Sequence, residues 1–146
     1  THATGLGHVV TDLGAAVRAV SDDIAAAGFD VTYQCRGTAS PTRSQASTLS
    51  RVAREMGANV VRHADPSTPV TLTLRLGPET IRLVSTNRIR MTPGDLPHSG
   101  SGVLGMRERL TAIGGELTTL ADDGAWIVTA TVPVASTRTP LPGGDS

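Results

Sequence analysis

The segment VTLTLRL at 70–76 puts Val70, Leu72, Leu74 and Leu76 on one side of an extended chain and Thr71, Thr73 and Arg75 on the other. Successive side chains of a strand point to opposite faces, so strict alternation commits this stretch to a sheet with one dry face and one wet one. Gly77-Pro78 then turns the chain into TIRLVSTN (80–87), and the pair reads as a β-hairpin. A sheet that is dry on one face needs a covering layer. Residues 8–27 supply part of it, with Val9, Leu13, Val17, Val20 and Ile24 drawing a single helical stripe that Gly28 stops. A second helix is expected over about 44–64, where Leu49, Val52, Met56, Val60 and His63 share a face until Asp65-Pro66 ends it.

The remaining pattern completes the layers. VTYQCR (31–36) alternates as a half-buried strand. A third helix is expected over about 103–113, then a strand at 116–120, a turn at Asp122-Asp123-Gly124, and a last strand over 126–133. The fold class read from this order is α+β: a two-layer α/β sandwich whose mixed, mostly antiparallel sheet is covered on one face by about three helices. Residues 1–134 fit one domain with one core, and 135–146, rich in Pro, Gly and small polar residues, read as a disordered tail. Between the hairpin and the third helix, residues 88–102 show no periodicity, and long internal loops are usually functional or disordered.

Charge excludes several functions. Thirteen basic residues balance thirteen acidic ones, so no electrostatic footprint points to duplex nucleic acid or to direct membrane contact. Every basic residue counted is Arg, and without a Lys no Walker-type phosphate loop can be built. Cys35, the one cysteine, has no internal disulfide partner and reads as a small hydrophobe in a strand, which suits a reducing cytosol. No apolar run approaches the roughly 20 residues that span a bilayer, and there is no signal-peptide pattern. The chain starts at Thr1 rather than Met, which is compatible with a segment of a longer protein.

Two stretches carry candidate chemistry. On the second helix, with Glu55 set at zero, Asn59 falls near 40° and Arg62 near −20°, roughly, at 100° per residue. A polar row therefore borders the apolar stripe: either the wet edge of an amphipathic helix or one wall of a site. Further on, Gly100-Ser101-Gly102 runs into a helical segment, which would leave main-chain N–H groups free for an anion at a helix start, or would serve only as a flexible joint.

Taken together the two stretches resemble a known family. RVAREMGANVVRHA carries Glu55, Asn59, Arg62, His63 and Ala64 in the spacing of the N box, and GSGVLGMRERL matches the glycine box at Gly100, Gly102, Gly105, Met106, Arg107, Glu108 and Arg109. The sequence looks like the ATP-binding catalytic (HATPase) domain of a bacterial two-component sensor histidine kinase, of the GHKL or Bergerat-fold superfamily, in the branch of nitrate-response and lipid-fluidity sensors. The resemblance covers about 7–134. It implies a cytoplasmic domain that holds ATP and Mg²⁺ between the second helix and an ATP lid at about 88–102. Asn59 would be the metal ligand, and Glu55 the catalytic residue that binds a metal-linked water or polarises the attacking group. Arg62 and His63 would reach phosphate oxygens. Gly100, Ser101, Gly102, Val103, Leu104, Gly105, Met106 and Arg107 would wrap the nucleotide. The partners implied are the histidine-containing dimerisation domain of the same parent protein and a downstream response regulator. His2, His8 and His98 lack the acceptor's His-Asp context, so the chain alone should bind ATP but autophosphorylate poorly or not at all.

One position departs from the family. The Asp-x-Gly-x-Gly that contacts adenine is expected after the strand at 80–86, where this chain has VSTNRIR, and Asn87 is the nearest substitute. Its carboxamide oxygen can accept from the adenine amino group but carries no charge. Trp126 stands where many relatives carry Thr near the adenine pocket, and its alternation with Val128 and Ala130 places it in the core. Alternative readings remain: a degenerate module of the same fold acting by protein binding, or an anti-sigma-factor-like kinase.

Overall fold

The structure, a computed structural model, describes residues 13–90 and 101–134. Expectations for His2, His8, His98, Gly100 and the 135–146 tail lie outside the described residues. Among the described residues eight elements follow in chain order: α1 (Leu13–Ala26), β1 (Val31–Gly37), α2 (Arg43–His63), β2 (Val70–Leu76), β3 (Thr80–Arg88), α3 (Ser101–Thr111), β4 (Glu116–Asp122) and β5 (Ala125–Pro133). The strands form one sheet in the order β1-β2-β3-β5-β4; only the β1–β2 pair is parallel. This is the two-layer α+β sandwich that the alternation requires.

The alternation of β2, β3 and β5 becomes a dry face. Leu72, Leu74, Ile81, Leu83, Val128, Ala130 and Val132 pack beneath Leu49, Val52, Ala53, Met56 and Val60 of α2, and all are buried. Strand β1 lies at the sheet edge, and its last four residues are exposed. Cys35 is therefore on a strand, as expected, but its thiol is exposed rather than packed as a core hydrophobe. Tyr33 fastens this edge to α1: its hydroxyl donates to the Gly14 carbonyl at 2.8 Å, and the Arg18 guanidinium sits 5.0 Å from its ring centre. Burial, reinforced by Cys35, pushes the Tyr33 phenol well above its ordinary range.

Local chemistry sets the element ends. Helix α2 starts one residue earlier than the apolar stripe suggests, because Thr42 and Gln45 form a capping box. The Thr42 hydroxyl accepts from the Gln45 N–H and the Gln45 Oε1 from the Thr42 N–H, each at 3.0 Å. The β4–β5 turn places Asp123 and Gly124 at φ 51° and 84°, the left-handed pair of a type I′ hairpin turn.

The exit of α2 is clasped to the end of β3. The Asp65 N–H donates to the Arg88 carbonyl at 2.8 Å and the Arg90 N–H to the His63 carbonyl at 2.8 Å. An isolated bridge joins Ala64 to Ile89, and an Arg90 Nη2 donates to the Arg62 carbonyl. Residues 88–90 thus belong to the β3 end and its clasp, and 101–102 belong to α3. Of the lid expected at about 88–102, residues 91–100 lie outside the described residues.

Gly57 of α2 packs tightly against α1: a Cβ there would lie 2.6 Å from Val20 Cγ1. A β-branched valine in a helix has one preferred rotamer and cannot swing away. Gly57→Ala is therefore expected to lower stability by about 1 kcal/mol, overpacking outweighing alanine's better helix propensity. Combining it with Val20→Ala should lose less than the two single changes added together, measured by denaturant unfolding.

Candidate functional site

The polar row of α2 is assembled as the helical angles predict. The Arg62 guanidinium donates to Asn59 Oδ1 at 2.7 Å and reaches Glu55 Oε2 at 3.4 Å. Glu55 and Asn59 are half-buried and Arg62 is exposed, so the row borders the core and faces outward. His63 is half-buried at the last turn of the helix, with its carbonyl engaged by the Arg90 clasp.

The glycine box meets this row. Helix α3 begins at Ser101, so Gly102 and Gly105 lie within its first turns rather than in a loop before it, and the first-turn N–H groups have no intrahelical acceptor. Gly102 lies against Glu55 so closely that a Cβ would overlap the carboxylate. Glycine lets the helix start and the carboxylate meet without displacing the Glu55 side chain. Val103 and Met106 turn into the core, which confines any ligand contact from them to main-chain groups, while Leu104 is exposed. The Arg107 guanidinium extends to the Leu117 carbonyl of β4 at 3.4 Å and does not join the Glu55 row. Gly100 lies outside the described residues.

Beneath the exit of α2 lies Asn87, only 3% exposed on the helix-facing side of β3. Its Nδ2 donates to the Arg88 carbonyl at 3.1 Å, the same oxygen that holds Asp65. Trp126, directly opposite on β5, is buried on the same face, as its alternation predicts. The clasp at Ala64–Ile89 brings the α2 end and this floor together.

This arrangement has the ingredients of an anion and cation site. Asn59 Oδ1 and the Glu55 carboxylate are hard oxygen donors one turn apart, the kind of partial ligand set with which Mg²⁺, keeping waters and phosphate oxygens, is satisfied. No group of three or more His, Cys, Asp or Glu able to hold a metal occurs among the described residues. The donor set fits a metal shared with a phosphate.

The fold is that of histidine kinase catalytic domains. The nucleotide-free catalytic domain of the histidine kinase ThkA matches over 84% of this chain and 93% of that one, with a TM-score of 0.65 and 14% identity. The blue-light activated histidine kinase of Erythrobacter litoralis matches over 84% of this chain and 40% of its own length, with TM-score 0.67 and 21% identity. The mycobacterial sensor histidine kinase MprB matches over 81% and 91%, with TM-score 0.59 and 16% identity. No protein-family model matches the chain, and no curated protein matches it.

Two features of this candidate site were not read from the sequence. Arg51, Arg54 and Arg109 join Glu55 in lining a concavity of about 260 Å³. Arg51 stands one turn before Glu55, so its position was legible, but Arg109 arrives only through the docking of α3 on α2. A mostly apolar hollow of about 450 Å³ between α1 and α2, lined by Val20, Ile24, Gly57, Ala58 and Val61, touches the site only through Arg54 and Arg62. The second missed feature is the Trp126 indole N–H, which is buried and finds no acceptor among the described residues.

Proposed function

We propose that the chain is the ATP-binding catalytic domain of a two-component sensor histidine kinase, supplying the γ-phosphoryl to a histidine on a separate dimerisation domain in the cytoplasm. The observation that carries this reading is the meeting of Gly102 with Glu55 beside the Asn59–Arg62 pair. It puts free helix N–H groups, a guanidinium and two oxygen donors around one place, as a nucleoside triphosphate requires. Asn59 would hold Mg²⁺, with Glu55 beside it; when bound, the ion supplies charge neutralisation across phosphate oxygens. The first-turn N–H groups of α3 would hold the phosphates, Arg62 would add a charge-assisted donor, and Asn87 Oδ1 would accept a hydrogen bond from the adenine amino group. Phosphoryl transfer asks little more of a protein than position and charge, so the acceptor histidine, and the response regulator after it, belong to other domains. No helix among the described residues is long and apolar enough to cross a membrane.

Asn87 also favours a second reading, a module of the same fold that acts by holding a protein partner, because the floor offers adenine no carboxylate. Replacing a charge-assisted acceptor by a neutral one forfeits roughly 1–2 kcal/mol, up to about thirty-fold in affinity. Calorimetric titration with a non-hydrolysable ATP analogue separates the two. Saturable, Mg²⁺-dependent binding at one site is the expected result; a folded chain that takes up no ligand at millimolar concentration would leave the interaction module standing.

A further inference from the structure

We infer that the Trp126 indole N–H is a base-reading donor, bonding the N1 acceptor on the Watson–Crick edge of adenine beside the amino group taken by Asn87. The inference rests on the nucleotide reading above and adds to it a specificity-determining residue.

The observation behind it is a buried donor without an acceptor. Trp126 is only 9% exposed, and its Nε1 finds no hydrogen-bond partner among the described residues. A buried N–H left unpaired is costly, and the large majority of such groups in folded proteins are satisfied. An indole has one polar atom, and it can only donate. A phenylalanine would fill this strand position without that cost, so the orphaned N–H points to an acceptor supplied from outside.

The register says what that acceptor belongs to. Asn87 and Trp126 face each other across the β3–β5 pair, both on the helix-covered side. Residues directly opposite in an antiparallel pair have Cβ atoms about 5 Å apart. Asn87 uses Nδ2 on the Arg88 carbonyl, which turns Oδ1 into the acceptor of the pair. The floor thus carries one acceptor and one donor on directly facing residues. The adenine edge offers the complement, an N6 amino donor next to the N1 acceptor. A neutral pair then replaces the recognition that one carboxylate would provide, and the lost charge is partly offset by a second direct bond. Ser85, the other buried polar residue of β3, lies one pleat further along the same face, too far along the strand to share this edge.

The test pairs a change in the ligand with a change in the protein. Non-hydrolysable ATP analogues with adenine and with 1-deazaadenine, in which N1 is replaced by a C–H, are titrated into the wild-type chain. Two variants are titrated alongside: Trp126→Phe, and a Trp126→benzothienylalanine protein that keeps the ring shape and replaces N–H by sulfur. Trp126 is the sole tryptophan, so its fluorescence reports ligand arrival in the wild type directly; calorimetry serves for the variants. The wild type should bind the 1-deaza compound about five- to ten-fold less tightly than its adenine counterpart. Both variants should lose about that factor for the adenine compound and show no further loss for the 1-deaza one. In the absence of ligand, the benzothienylalanine protein should melt at or above the wild-type temperature, since it removes the unpaired donor without leaving a cavity. An undiminished preference for N1 in that variant overturns the inference and leaves the nucleotide reading intact. Absence of saturable binding to the wild type overturns both.

Discussion

Asn59→Ala is expected to abolish Mg²⁺-dependent binding of an ATP analogue, a loss of at least about a hundred-fold, with the fold undisturbed. Removing even an outer-shell partner of a metal typically costs 10–100-fold in affinity, so removing the proposed direct ligand should cost at least the upper part of that range. The structure explains why stability should be spared. Asn59 is half-buried, and its side-chain oxygen accepts from the exposed Arg62 guanidinium, which also reaches Glu55 at 3.4 Å and keeps that partner. Alanine is moreover the better helix former, so the melting temperature should move by no more than about 3 °C. Binding measured without Mg²⁺ serves as the control and should be nearly the same in both proteins. Retention of full Mg²⁺ dependence in a folded Asn59→Ala protein would falsify the assignment of the metal to this residue.

The fold was legible in the sequence because each dry stripe had a period that only one element satisfies. Val70 to Leu76 could be nothing but a one-sided strand, and the helical stripe through Leu49, Val52, Met56 and Val60 lands on it. What escaped were features set by neighbours distant in sequence. The apolar pattern alone does not place β1 parallel to β2 at an edge, and that placement exposes Cys35. Gly57 reads as a weak point in a helix until Val20 is seen against it. At the site, the spacing of Glu55, Asn59 and Arg62 sufficed, because i, i+4 and i, i+7 positions share a helix face whatever the tertiary structure. Arg109 and the Trp126 N–H were not legible, since each acquires its meaning from a different element: Arg109 from α2, Trp126 from β3. The start of α3 shifted from Val103 to Ser101. Two glycines read as loop, yet both lie in the first turns of the helix, where Gly102 meets Glu55 of α2.

Asn87→Asp should tighten the ATP analogue by about ten- to thirty-fold while weakening the free protein, and the two effects have one cause. A carboxylate at this position accepts from the adenine amino group with charge assistance, which strengthens that bond by roughly 1–2 kcal/mol. Without ligand, the same carboxylate is almost fully buried and can no longer donate to the Arg88 carbonyl, which keeps only the Asp65 N–H. Two oxygen acceptors then face each other on the floor, and the free variant should be less stable than wild type by about 1–3 kcal/mol. Desolvation raises the carboxyl's pKa in the folded state above its unfolded value, so the unfolded chain binds fewer protons between the two values. Stability of the free variant relative to wild type therefore falls as pH rises through the folded pKa, and recovers below the unfolded one. Melting curves at pH 5 and pH 8, with and without the ATP analogue, read both effects at once. The deficit should be larger at pH 8, and ligand should raise the melting temperature of the variant more than that of wild type. An Asn87→Asp protein that shows the pH-dependent deficit yet binds ATP no more tightly would mean that the base does not rest on this strand.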